Sequence, residues 1–77
     1  MHEFALASEV VSICAARADG ARVIRVRLEV GRLAAVLPDS LRFCFDACTH
    51  GTPLAGAALD IVETPGEALR VKDMEVD

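Results

Sequence analysis

Residues 24–30, Ile-Arg-Val-Arg-Leu-Glu-Val, alternate apolar and charged side chains without a break. A period of two marks a β-strand with one face buried and one face in water. It assigns Ile24, Val26, Leu28 and Val30 to the core side and Arg25, Arg27 and Glu29 to the solvent side. The segment before it has a different period. From Glu3 to Ala18, Leu6, Ala7, Val10, Ile13 and Cys14 recur at three- and four-residue spacing opposite Ser8, Glu9 and Ser12. That spacing predicts an amphipathic helix, ended by Asp19-Gly20, where glycine accepts the left-handed conformation of a helix stop.

Downstream of the strand, residues 31–37 read as a connector. Pro38-Asp39 then opens a second helix, with proline at its first position and an acid facing the positive end of the helix dipole. Leu41, Cys44, Phe45 and Cys48 form its apolar stripe, which reads Cys44 and Cys48 as small core residues, and Gly51 ends it. After the small-residue stretch 52–56, Leu59 and Ile61 flank Asp60 in a second strand. Leu69, Val71, Met74 and Val76 define a third. Their parity changes between Val71 and Met74, so a bulge near Lys72-Asp73 is needed for all four to face inward. Thr64-Pro65-Gly66-Glu67 has proline and glycine where a type II turn requires them, and reads as a short hairpin connection.

The order helix, strand, helix, strand, strand predicts an α/β (α+β) fold. It is a mixed three-stranded sheet with both helices on one face. Seventy-seven residues, 53% apolar and 26% charged, suffice for one domain without a linker or internal repeat. No apolar run approaches the ~20 residues of a membrane span, and Met1-His2-Glu3 does not open a secretory signal. A cytoplasmic protein is expected. Twelve acids against eight dispersed bases give a net charge of −4, which argues against a nucleic-acid-binding surface. The three cysteines, Cys14, Cys44 and Cys48, form no Cys-x-x-Cys pair and read as reduced thiols.

Enzymatic machinery is not visible: there is no phosphate loop, no Gly-x-Ser-x-Gly and no His-Glu-x-x-His. Cys14 lies on an apolar stripe, where thiols are inert, and pairing with His2 or His50 as a base is not indicated. The first three residues carry more chemistry. An α-amine at Met1 together with the amide and imidazole nitrogens of His2 can close adjacent chelate rings around one metal ion. Glu3 can add a fourth ligand through its backbone nitrogen or its carboxylate. A planar, nitrogen-rich donor set suits Ni(II) or Cu(II). The bulk of His2 also disfavours removal of the initiator methionine.

Met-His-Glu, the helix "ALASEVVSIC", "VIRVRLEVGRLAAVLPDSLRFCFD", "GTPLAGAALDIVETPG" and the closing "LRVKDMEVD" resemble, in that order, the hydrogenase maturation nickel metallochaperone family HypA, also called HybF. The resemblance implies a small α/β nickel-binding domain and a non-enzymatic role in delivering Ni(II) to [NiFe]-hydrogenase. It implies Met1, His2 and Glu3 as the metal ligands. It also implies two partners, the GTPase HypB and the hydrogenase large subunit. Family members carry a zinc domain with two Cys-x-x-Cys pairs between the second and third strands. Here Pro65-Gly66 occupies that place and the chain runs on to Glu67, so residues 1–77 read as the nickel domain alone, with no zinc site. Asp39 is a weaker candidate at the metal, equally explained by the helix dipole, and His50 matches no family motif. The alternative reading is a protein-interaction module whose open sheet edges dock a partner or a second copy, with the N-terminal triplet incidental.

Overall fold

The computed structural model describes residues 2–77. Helix α1 spans Glu3–Ala18, strand β1 Val23–Gly31, helix α2 Pro38–Thr49, strand β2 Ala58–Thr64 and strand β3 Leu69–Val76. A 3-10 turn, Arg32–Ala34, interrupts the connector between β1 and α2. The sheet order is β2-β1-β3, with β2 parallel and β3 antiparallel to the central strand. This is the mixed sheet that the sequence predicts.

Its topology departs from the sequence reading at one point. Residues 65–68 do not close a hairpin, because β2 and β3 lie on opposite sides of β1 and do not pair. The connection instead crosses the end of β1, covering about two strand spacings, or ~10 Å. Gly31 permits the crossing. Its N–H donates to the Ala68 carbonyl at 2.7 Å, and the Leu33 N–H donates to the Gly66 carbonyl at 2.8 Å. A Cβ on Gly31 would overlap the Gly66 carbonyl oxygen and lie 2.7 Å from its carbon and 2.9 Å from the Glu67 nitrogen. Gly66 has φ +100°, the positive value that the sequence assigned to glycine in this turn.

Two bulges set the parity of the sheet. One lies between Arg27 and Leu28 on β1, which pair with Asp73 and Val71, leaving Lys72 as the extra residue on β3. It brings Val71 and Met74 to the same face, as their spacing requires. The other lies between Val23 and Arg25, which pair with Val76 and Glu75. Ile24 is the unpaired residue there. Its side chain is therefore 40% exposed, whereas the alternation of 24–30 had placed it in the core; Val23 is buried in its stead.

The core forms between the helices and one sheet face. Leu6, Ala7, Val10, Val11 and Cys14 of α1 meet Leu41 and Phe45 of α2 above Val26 and Leu28 of β1. Ile13, read from its spacing as a core residue, is 43% exposed beside β3, and Val11 is buried instead. Cys44 and Cys48 are half-buried against the core, as expected for small apolar residues on the α2 stripe. Leu54, in a stretch with no periodicity, is fully buried. Its loop is held by Thr52, whose hydroxyl donates to the Thr49 carbonyl at 2.6 Å and accepts from the Leu54 N–H at 3.1 Å. Neighbouring Pro53 accepts the Val23 N–H at 2.9 Å, fixing the loop to the start of β1.

Two outcomes follow from this packing. Gly31→Ala forces backbone against backbone and is expected to cost about 3 kcal/mol or more in urea-unfolding stability. An unchanged midpoint would show that the crossing does not depend on glycine. Burial pushes the Cys14 thiol up and outweighs the opposing charge of Arg17, so the folded chain keeps it protonated and enclosed. Alkylation of the native protein is expected to label Cys44 and Cys48 before Cys14, and mass mapping of the modified peptides checks the order.

Candidate metal site at the amino terminus

Met1, whose amine is the expected first ligand, lies outside the described residues. His2 is the residue before α1. Its backbone is extended, with φ −84° and ψ 125°, and its carbonyl accepts the Leu6 N–H at 3.2 Å. Its side chain is exposed and makes no capping hydrogen bond, which leaves the imidazole nitrogens available. The first amides of any α-helix have no acceptor within the helix. Coordination through the His2 or Glu3 backbone nitrogen therefore breaks no intrahelical bond, and the ladder begins beyond it at Leu6.

Glu3 is the first helical residue, and its carboxylate is engaged. The Leu37 N–H donates to Oε2 at 3.1 Å. Leu37 immediately precedes α2, and its own carbonyl accepts the Leu41 N–H at 2.9 Å. The Glu3–Leu37 bond thus joins the N-termini of both helices at one end of the molecule. A carboxylate so placed faces the positive ends of two helix dipoles. The Leu37 N–H and, after it, the residue's own N–H hold Glu3 below the usual carboxylate range, against slight desolvation.

The remaining candidates do not join this group. Asp39 occupies the first turn of α2, exposed to solvent, where its charge complements the helix dipole. The link from α1 to this helix start runs through the Leu37 backbone and not through Asp39. His50 caps the other end of α2. A twelve-residue helix separates it from Leu37, roughly 18 Å at 1.5 Å per residue. Among the described residues no three His, Cys, Asp or Glu side chains gather as a metal cage. Leu37 is the participant that the sequence reading missed. A residue that acts through its amide leaves no mark in a side-chain pattern, and only its place before Pro38 signals a helix entry.

The chain is similar to several curated proteins named hydrogenase maturation factor HypA. The one from Nostoc punctiforme is 54% identical over 66 residues, which cover 86% of this chain and 58% of that protein. The one from Geobacter metallireducens is 50% identical over 66 residues, covering 86% and 60%. This chain thus spans about three-fifths of the length of these relatives. In three dimensions it resembles the solution structure of the Ni metallochaperone HypA from Helicobacter pylori. The TM-score is 0.71 at 16% identity, covering 99% of this chain and 93% of that one, a likeness of fold. The HypA profile, described as "Hydrogenase/urease nickel incorporation, metallochaperone, hypA", matches residues 1–73. The chain therefore belongs to the HypA family of nickel-incorporation metallochaperones.

Proposed function

We propose that this domain carries Ni(II) at its amino terminus and releases it during maturation of [NiFe]-hydrogenase, in the cytoplasm. Nickel is cargo here, and the protein supplies donors and a handle. The α-amine of Met1, the amide and imidazole of His2 and the amide of Glu3 form the donor set. The observation that carries the reading is the state of Glu3 and His2 in a chain of this family. The imidazole is exposed, the first helical amides have no acceptor within the helix, and the Glu3 carboxylate is tied to Leu37. That bond favours the Glu3 backbone nitrogen over its carboxylate as the ligand, because carboxylate coordination would cost the link between the two helix starts.

A terminal chelate suits delivery. Its donors sit on the chain end and can be replaced one at a time by those of an acceptor, without opening the core. The GTPase HypB and the hydrogenase large subunit are the acceptors and partners that this reading assigns. Phe4 and Leu37 adjoin the Glu3–Leu37 bond and remain 59% and 66% exposed, offering apolar contacts beside the cargo. Within the same proposal, residues 1–77 are the nickel domain. The additional length of the relatives then includes a zinc domain inserted at the turn after β2, and this chain holds no zinc. β2 and β3 are each held by their own pairing with β1, which supports a turn between them that accepts an insertion. No described helix is long and apolar enough to cross a membrane.

Calorimetric and optical Ni(II) titration tests the reading. The native chain is expected to bind one equivalent with a planar Ni(II) absorption band. His2→Ala and a chain with one extra residue before Met1 are each expected to lose more than about 100-fold in affinity, beyond the range of an outer-shell change. Glu3→Gln, which retains the backbone nitrogen, is expected to stay within about tenfold. Equal binding by all four proteins would refute the terminal site. A loss in Glu3→Gln as large as in His2→Ala would make the carboxylate a ligand.

A further inference from the structure

Strand β3 is an open edge of the sheet, and its sequence is complementary to itself. Laid antiparallel against a second copy about the Lys72-Asp73 midpoint, Leu69 faces Val76, Arg70 faces Glu75, Val71 faces Met74 and Lys72 faces Asp73. Every apolar residue of the strand meets an apolar one, and every base meets an acid. We propose that two copies of this chain pair through β3 in this register, joining their sheets into one of six strands.

The bulge makes the register physically sound. In an unbroken strand, residues an odd number apart point to opposite faces, so Val71 and Met74 could not be cross-strand partners on one face. Lys72 is the extra residue, and it brings Leu69, Val71 and Met74 all to the helix-covered side, where they pack against the core. Both copies carry the bulge at the same place, so the shortening matches across the two-fold axis. The backbone agrees. At one end of the β1–β3 ladder Gly31 N–H donates to the Ala68 carbonyl, and at the other Asp77 N–H donates to the Arg22 carbonyl. Alternation inward from these ends turns the peptide groups of Leu69, Val71, Met74 and Val76 towards the free edge. In the proposed register these residues hydrogen-bond to one another across the interface.

Charge and exposure favour the same occupant. Arg70 holds Glu29 through Nε and Nη2 at 2.8 and 2.6 Å, while Asp73 and Glu75 lie 3.5 and 3.7 Å from Arg27 and Arg25. Lys72 has no ion pair among the described residues, and the second copy supplies one in Asp73. A groove between α1 and β3, lined by Ile13, Leu69, Val71 and Met74, runs beside the edge, and Ile13 and Val76 are 43% and 46% exposed. The opposite edge does not compete. The charged residues of β2 are all acids, and Arg42 of α2 donates to its Leu59 carbonyl at 2.6 Å. The interface uses none of the residues assigned to nickel.

Sedimentation velocity of the full chain, from about 10 μM to about 1 mM, tests the proposal, since weak interfaces register in that range. The chain is expected to shift from monomer to dimer with concentration. Lys72→Glu sets Glu against Asp73 of the other copy, and Asp73→Lys sets Lys against Lys72. Each variant alone is expected to dimerise at least about tenfold more weakly. An equimolar mixture of the two restores both opposite-charge pairs and is expected to dimerise as the unmodified chain does. Circular dichroism of each variant verifies that it remains folded. A chain that stays monomeric throughout, variants that dimerise unchanged, or a mixture that fails to recover would each overturn the proposal.

Discussion

The fold depends on one close approach, the passage of residues 65–68 over Gly31. Because a side chain there would collide with the Gly66 backbone, only glycine lets the chain step from one side of β1 to the other in so few residues. The crossing makes β1 the central strand, with a parallel neighbour on one side and an antiparallel neighbour on the other. The strand that carries the clearest alternation in the sequence is accordingly the most buried, and Val26 and Leu28 are wholly enclosed. Both helices cover the same face of it. Their N-termini come together at one end, where Glu3 accepts from Leu37.

That meeting point links the fold to the proposed site. The described residues hold no cage of side-chain ligands. What they offer is the start of a helix, where amide nitrogens have no internal acceptor, next to an exposed imidazole. The anchored Glu3 fixes where α1 begins, and His2 before it stays exposed. The proposed role as a carrier agrees with this division, because a metal held by enclosed side chains would be slow to leave.

Most of the architecture was legible in the sequence because it rests on period. The two helices, three strands, the bulge at Lys72 and the stops at Asp19-Gly20 and Gly51 each follow from side-chain spacing or from residues with unusual backbone freedom. The failures share a cause. Ile24 continues a period of two, but the register slips beside Val23, and nothing in the alternation records a slip against a partner strand. The turn at Pro65-Gly66 reads as a hairpin, since a local turn signal does not say whether another strand lies between the two that it joins. Leu54 and Leu37 act through a loop plug and a backbone amide, neither of which has a repeating pattern. At the candidate site, the chelating sense of Met1-His2-Glu3 was visible in the residue types. The tie of Glu3 to Leu37 was not, because it spans thirty-four positions and ends on a main-chain atom.

The central claim is that nickel is held where α1 begins, on a frame that its binding leaves intact. Amide-resolved NMR of the isotope-labelled chain during Ni(II) addition tests it most directly. The account predicts that the His2 and Glu3 amide signals disappear as their nitrogens lose protons to the metal. The next few residues of α1 shift, and the Leu37 amide keeps its hydrogen-bonded position while the sheet is undisturbed. Changes centred instead on His50, on Asp39 or on the cysteines of α2, with His2 and Glu3 unaffected, would contradict it.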